Sequence, residues 1–202
     1  MENAKPVPAA AGNAGPRAKY SWRAKWVWAT VFSIVALALI LWRSDLVVPF
    51  KVPSQSMQPA IVAGDRIFSE NVTYKTRPPH RGDIIVFKND FTDSLPDHCY
   101  CCKRVAGEPG EHLRITNGKL YINDQLMGLT NQAGLISYEM PTIYSGRKQM
   151  IDVVIPAGKY FVLGDNSTNS NDSRFFGFVP ADRIMGRVSF CYWPLARVGK
   201  VE

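Results

Sequence analysis

The chain has 202 residues, of which 46% are hydrophobic and 20% charged, a composition that excludes a disordered protein and fits one globular domain with an appendage. The net charge is +7, but residues 1–25 alone carry +4, so the rest of the chain is close to neutral. Because no basic stripe or nucleic-acid motif accompanies this charge, it disfavours nucleic acid and favours an anionic membrane as the partner.

The first element in chain order is an uncharged run at residues 26–42. Its length is at the short end for a helix that spans a hydrocarbon core of about 30 Å. Four of the five tryptophans lie at its two ends, where indole rings favour the membrane interface. A cleaved signal peptide is the alternative, since residues 36–38 are Ala-Leu-Ala, but the apolar run continues past them. We therefore predict an uncleaved anchor, with the basic tail 1–25 cytoplasmic and residues 43–202 extracytoplasmic.

Short strand-like runs, rich in β-branched and aromatic residues, dominate the chain after the anchor. They cover residues 46–52, 66–68, 83–87, 113–115, 120–122, 151–155, 160–163 and 187–192. The fold class is therefore mainly β, with a folded-over or barrel-like sheet. Asn117-Gly118 suits the positive-φ positions of a type I′ turn and predicts a hairpin, within a small subdomain at about 112–158.

Four polar segments carry the candidate chemistry, and they cover residues 49–59, 81–87, 103–111 and 164–180. Each is weak alone, since such segments also form polar turns or solvated faces. In this order, behind an N-terminal anchor, they closely resemble the signature boxes of type I signal peptidases, up to Pro194. The resemblance implies a signal-peptidase-like fold and a membrane-bound serine endopeptidase. It also implies cleavage of signal peptides from exported preproteins after small residues, at A-x-A-type sites.

A serine nucleophile needs a base, and the sequence restricts the choice. His80, His98 and His112 have no catalytic motif around them and are interpreted as surface or structural residues. A buried, neutral lysine can take the place of histidine, and Lys103 stands among cysteines and small apolar residues. The resemblance makes Ser56 the nucleophile and Lys103 the general base.

The same resemblance assigns supporting roles to the other residues of these segments. The Ser56 backbone N–H and the Ser54 hydroxyl form the oxyanion hole, and Ser170 hydrogen-bonds Lys103 to orient it. The ion-pair framework of the loop around Lys103 comprises Arg104, Asp165, Asp172 and Arg174. The substrate-binding residues are Phe50, Val52, Met57, Ile61 and Cys102. No metal or organic cofactor is expected.

This chain departs from the family pattern at several positions. Ser167-Thr168 replace an Arg-Asp pair, and Phe175-Phe176 replace Tyr-Trp. Cys102 stands where isoleucine is typical. Because none of these changes removes a catalytic group, they bear on substrate preference more than on activity.

The cysteines leave two interpretations open, disulfides and free thiols. They are Cys99, Cys101, Cys102 and Cys191. A zinc site is disfavoured, because only His112 and Cys191 remain for a second pair of ligands.

Two further functions compete with general processing of preproteins. One is a specialised peptidase of the same clan that processes a pilin or a conjugation or secretion substrate. The other is a catalytically inactive β-domain tethered to the membrane as a scaffold. For the leading function we expect a monomer in the plasma membrane, in contact with the lipid bilayer and with preproteins that carry signal peptides.

Overall fold

The structure is a computed structural model, and it describes residues 22–43, 46–139 and 150–201. The α-helices are α1 (Trp22–Arg43) and α2 (Ser173–Phe176). The strands are β1 (Val47–Lys51), β2 (Arg66–Glu70), β3 (Ile84–Lys88), β4 (Tyr100–Gly107), β5 (His112–Thr116), β6 (Lys119–Ile122), β7 (Gln125–Met127), β8 (Thr130–Asn131), β9 (Gly134–Leu135), β10 (Ile151–Val154), β11 (Lys159–Leu163), β12 (Val179–Pro180), β13 (Ile184–Trp193) and β14 (Gly199–Lys200). Short 3-10 turns cover Thr73–Lys75, Ser167–Asn169, Ala181–Arg183 and Leu195–Arg197.

The chain divides into two compact units, residues 1–40 and residues 41–202. The expected anchor at 26–42 falls within α1, which begins four residues earlier, at Trp22. No helix in the described ranges has the length and hydropathy that a membrane crossing requires. The expected basic tail lies outside the described residues up to residue 21.

The larger sheet confirms the prediction of a mainly β fold. Its strand order is β1-β2-β13-β3-β4-β11-β12, and β14 pairs with β13. The ladders are antiparallel. Residues Ile84–Phe87 of β3 are buried on both faces of the strand, because Ile84 and Val86 lie in one core cluster and Ile85 and Phe87 in another.

A second, four-stranded sheet has the order β10-β5-β6-β7 and contains the predicted hairpin. Asn117 (φ 49°) and Gly118 (φ 73°) connect β5 to β6 in the left-handed region that a type I′ turn requires. Alternate residues of β5, Leu113 and Ile115, are buried in a core that also includes Phe161 of β11. The two sheets therefore share apolar contacts, and residues 140–149 of the expected subdomain lie outside the described residues.

The most important strand that sequence periodicity did not predict is β4. It carries Lys103 and Arg104 in its centre, and both side chains are buried. Two consecutive charged residues interrupt the hydrophobic pattern by which a strand is identified. Both buried side chains have hydrogen-bond partners, Ser56 for Lys103 and Asp165 for Arg104.

Candidate active site

Ser56 lies in the turn that follows β1, and the loop after β11 supports its main chain. The Ser56 carbonyl accepts a hydrogen bond from the Asn166 N–H at 3.0 Å, and the Asn166 side chain donates to the Gln55 carbonyl at 3.2 Å. A Cβ added at Gly164 would lie 2.6 Å from the Ser56 carbonyl oxygen. This close approach requires glycine at position 164.

Lys103 comes to Ser56 from the centre of β4, where it pairs with Ile85 of β3. Its side chain is 6% exposed, and Nζ lies 2.7 Å from Ser56 Oγ and 3.1 Å from the Cys102 carbonyl oxygen. Residues 47 positions apart in the sequence thus form a buried nucleophile–amine pair at hydrogen-bonding distance.

Two hydrogen-bond donors lie next to this pair. Ser54 Oγ is 3.3 Å from Ser56 Oγ, so the two hydroxyl groups are in contact. The Ser56 N–H makes no hydrogen bond to another described residue. Of the two groups expected to form the oxyanion hole, the Ser54 hydroxyl contacts the serine hydroxyl and the Ser56 N–H has no partner among the described residues.

The Arg104 side chain lies on the face of β4 opposite to Lys103, where it forms a bidentate ion pair with Asp165. Its Nε and Nη2 atoms donate to the Asp165 carboxylate at 2.8 and 2.7 Å, and Nη1 donates to the Gly82 carbonyl at 2.9 Å. Both charged side chains are almost fully buried. This pair ties the start of the loop after β11 to the strand that carries Lys103.

Asp172 and Arg174 hold the end of the same loop. The Asp172 carboxylate accepts the Gly164 N–H at 3.0 Å and two bonds from the Arg174 guanidinium at 2.8 Å each. It also caps the N-terminus of α2. Arg174 donates to the Ser167 carbonyl at 2.7 Å. The four residues expected to form the loop framework are thus joined in two buried ion pairs.

Ser170 differs from the expectation. Its Oγ is buried and makes no hydrogen bond to a described residue, so the expected bond to Lys103 is absent here. Lys103 Nζ is bonded to Ser56 and to the Cys102 carbonyl, and the Ser170 side chain instead packs against Gly164.

An apolar groove of about 480 Å³ runs beside Lys103 between β1 and β4. Three of the expected substrate-binding residues line it, Phe50, Val52 and Cys102. The other two, Met57 and Ile61, are 1% and 0% exposed and belong to the core cluster against which Phe50 and Cys102 pack.

The groove also contains residues that sequence reasoning missed, among them Ile67, Val86 and Tyr100. Ile67 pairs with Phe50, and Val86 pairs with Cys102. The strand register would have identified both, since cross-strand partners share one face of a sheet.

All four cysteines are unpaired in this structure. Cys99 Sγ lies 3.5 Å from Cys101 Sγ. No group of three or more metal-binding side chains occurs in the part of the chain that the structure describes. The three histidines pair with acidic residues on the surface, His80 with Glu108, His98 with Asp97 and His112 with Asp152.

Comparison with known proteins identifies the family. The family model described as signal peptidase, peptidase S26, matches residues 23–193. A probable signal peptidase I-2 from Synechocystis is 36% identical over 73% of this chain, which spans 64% of that relative's length. Signal peptidase IB from Staphylococcus aureus is 31% identical over 84% of this chain and 90% of its own length. The crystal structure of a signal peptidase I from Enterococcus faecalis is 28% identical and covers 55% of this chain and 97% of its own, with a TM-score of 0.40. The chain belongs to the signal peptidase family, peptidase S26.

Proposed function

We propose that this protein is a serine endopeptidase that removes N-terminal signal peptides from exported preproteins, with Ser56 as nucleophile and Lys103 as general base. The observation that carries this proposal is the 2.7 Å distance between Lys103 Nζ and Ser56 Oγ in a buried site. The family membership supports the same activity.

The proposed reaction is acyl transfer in two steps. A neutral Lys103 accepts the hydroxyl proton of Ser56 while Oγ attacks the scissile carbonyl carbon. The Ser56 N–H and the Ser54 hydroxyl stabilise the oxyanion, and one such donor is typically worth about 3–4 kcal/mol. Lys103 then protonates the leaving amine, and a water activated by the same amine hydrolyses the acyl-enzyme. Ser170 remains a candidate for orienting Lys103 during these proton transfers.

The proposed substrate binds as an extended strand in the groove. Residues 100–103 of β4 pair with β3 on one edge, while β11 pairs only with residues further along, from Arg104 to Gly107. The opposite edge of 100–103 therefore has no strand partner among the described residues, so a peptide can add there by β-augmentation. Alternate side chains point the same way, so positions −1 and −3 face the apolar groove and must be small.

We further propose that residues 26–42 anchor a monomer in the plasma membrane, with the tail 1–25 in the cytoplasm and the catalytic domain, 43–202, outside it. The absence of charge in 26–42 and the flanking tryptophans and basic residues support this assignment. Within the catalytic domain, the hairpin subdomain at about 112–158 is proposed to pack behind the catalytic loop. The Glu139 carbonyl, which accepts hydrogen bonds from Ser167 and Arg174, supports this role.

The dyad is tested by cleavage of a preprotein with an Ala-x-Ala site. Lys103→Ala should lower kcat by roughly 10²–10⁴-fold, the typical contribution of a general base. Ser56→Ala should lose at least as much, and the double variant should lose no more than Ser56→Ala, because the two groups act as one unit. Lys119→Ala, in the exposed hairpin, is the matched control and should keep the wild-type rate.

Folding of each variant is checked by circular dichroism, so that a lost structure is not read as a lost base. Substantial cleavage by folded Lys103→Ala would contradict the dyad. No cleavage by the wild-type protein would favour the inactive scaffold instead.

A further inference from the structure

Two thiols meet at the outer end of the groove. Cys99 precedes β4 directly, Cys101 lines the groove, and their sulfur atoms are 3.5 Å apart. Neither belongs to the catalytic pair, but Cys101 is only two residues from Lys103 in the same strand.

The loop before β4 holds Cys99 in this position. The Asn89 N–H donates to the Cys99 carbonyl at 2.8 Å, and the buried Asn89 side chain donates to three carbonyls of the loop, those of Thr92, Leu95 and Pro96. His98 has φ 54°, the left-handed conformation that turns the chain into the strand. The contact between the two sulfur atoms is therefore built into an anchored loop.

We propose that Cys99 and Cys101 form a dithiol–disulfide pair, a redox modification site that alters the substrate-binding edge of β4. The effect on cleavage rests on the proposed function, whereas the formation of the disulfide does not. The proposed extracytoplasmic location of the domain is one in which disulfides form and persist.

The oxidant in this reaction is a low-molecular-weight disulfide, such as oxidised glutathione. The Cys99 thiolate attacks one of its sulfur atoms, forms a mixed disulfide and releases one glutathione thiol. The Cys101 thiolate then attacks Cys99 Sγ and releases the second glutathione. The protein loses two S–H bonds and two electrons and gains one S–S bond, while the glutathione disulfide is reduced to two thiols. Burial and the hydrogen bond to the Cys99 thiol raise the pKa of Cys101 to about 12, so the attack of Cys101 on the mixed disulfide is the slow step.

The disulfide should distort the end of β4. Residues two positions apart in a strand have Cα atoms roughly 6.5–6.8 Å apart. This is the upper end of the range of about 4.4–6.8 Å that a disulfide spans, so the bond contracts the strand at Tyr100. The contracted segment includes the open edge on which the peptide is proposed to pair.

The test uses the full chain in detergent micelles, first reduced and then treated with oxidised glutathione. Labelling of thiols under denaturing conditions should show the loss of two thiols, and peptide mass spectrometry should assign them to Cys99 and Cys101. Dithiothreitol should restore both. The oxidised protein should cleave a preprotein several-fold more slowly than the reduced protein.

Variants in which one cysteine at a time is replaced by serine distinguish the possible disulfide pairings. Cys99→Ser should lose no thiol pair and should cleave at the reduced wild-type rate under both conditions. Cys102→Ser and Cys191→Ser should still lose two thiols, since Cys191 is buried in a separate core cluster. Loss of two thiols in Cys99→Ser, a persistent glutathione adduct or a disulfide between chains would overturn the pairing.

Equal cleavage rates of the oxidised and reduced proteins would overturn the effect on the groove. If the reduced protein does not cleave preproteins at all, the proposed function fails, and the thiol measurement still decides whether the pair forms.

Discussion

At the scale of single residues, the site depends on two adjacent basic residues in one strand that serve different purposes. Successive side chains of a strand point to opposite faces, so Lys103 reaches Ser56 while Arg104 reaches Asp165. The guanidinium matches a carboxylate through two parallel bonds, whereas the single amine of lysine can lose its proton and act as a base. The order of the two residues is therefore not interchangeable.

Asp83 provides a prediction about stability against pH. Burial opposes its ionisation, but hydrogen bonds from Arg77 and the His80 N–H and the charges of Arg77 and Arg187 hold its pKa below the usual value. A carboxyl group with a lowered pKa stabilises the fold above its unfolded pKa, and this contribution is lost as the pH falls below about 4. The free energy of unfolding should therefore decrease in acid.

Asp83→Asn should lower the free energy of unfolding near neutral pH by about 1.5–3 kcal/mol and should reduce its acid dependence. The measurement is urea unfolding of both proteins at a series of pH values. Asp97→Asn is the control, because the Asp97 side chain is 76% exposed in its pair with His98 and the change should stay below about 1 kcal/mol. An unchanged acid dependence in Asp83→Asn would exclude this carboxyl as its source.

Cys102 provides a prediction about specificity. Its thiol lines the groove opposite Val86 and is smaller than the isoleucine typical of the family. We expect the smaller Cys102 thiol to admit Val at −3 as well as the smallest residues, so Cys102→Ile should slow cleavage of substrates with Val at −3 and leave those with Ala at −3 unchanged, because steric overlap affects only the larger side chain. A peptide library varied at −3 measures this. If both proteins cleave peptides with Val at −3 at the same rate, Cys102 does not line the −3 pocket.

At the scale of elements, local signals predicted some parts of the fold better than others. The β5–β6 hairpin follows from its Asn-Gly turn and alternating hydrophobic residues. Strand β4 could not be predicted in this way, because its buried basic side chains are hydrogen-bonded by Ser56 and Asp165, which are distant in sequence. The family motifs predicted site residues of which the structure brings Ser54, Ser56 and Lys103 together, but the absent Ser170–Lys103 bond depends on side-chain geometry that a motif does not contain.

Gly164 provides a prediction at this scale, since it joins β11 to the catalytic loop. A Cβ at this position would meet Ser170 Oγ and the Ser56 carbonyl. Gly164→Ala should therefore displace the nucleophile and lower kcat by roughly 10²-fold, as a shift of about 1 Å can. Kinetics of preprotein cleavage provide the measurement.

Gly199→Ala is the matched control for Gly164→Ala, because a Cβ there has open space and should leave kcat unchanged. Equal rates for Gly164→Ala and the wild type would show that the loop can move without disturbing Ser56.

At the scale of the whole molecule, a β-rich body of residues 41–202 follows a helix with many exposed apolar side chains, including Trp26, Phe32 and Ile40. The proposed anchor predicts that protease added to spheroplasts digests residues beyond Arg43 and leaves the N-terminal tail intact. Antibodies against tags at the two ends provide the measurement, and a cytoplasmic protein serves as the control for lysis. The reverse pattern of protection would overturn both the orientation and the exported substrates.

The unpaired edge of residues 100–103 in β4 has a consequence for inhibitor design. Its inner half is paired on both edges, whereas its outer half, 100–103, offers one free row of amide and carbonyl groups beside an apolar groove. A peptidomimetic that hydrogen-bonds to these amide and carbonyl groups gains affinity from main-chain contacts. Mutation of side chains in β4 does not remove these contacts. Resistance would then have to come from the shape of the strand itself, which also positions Lys103.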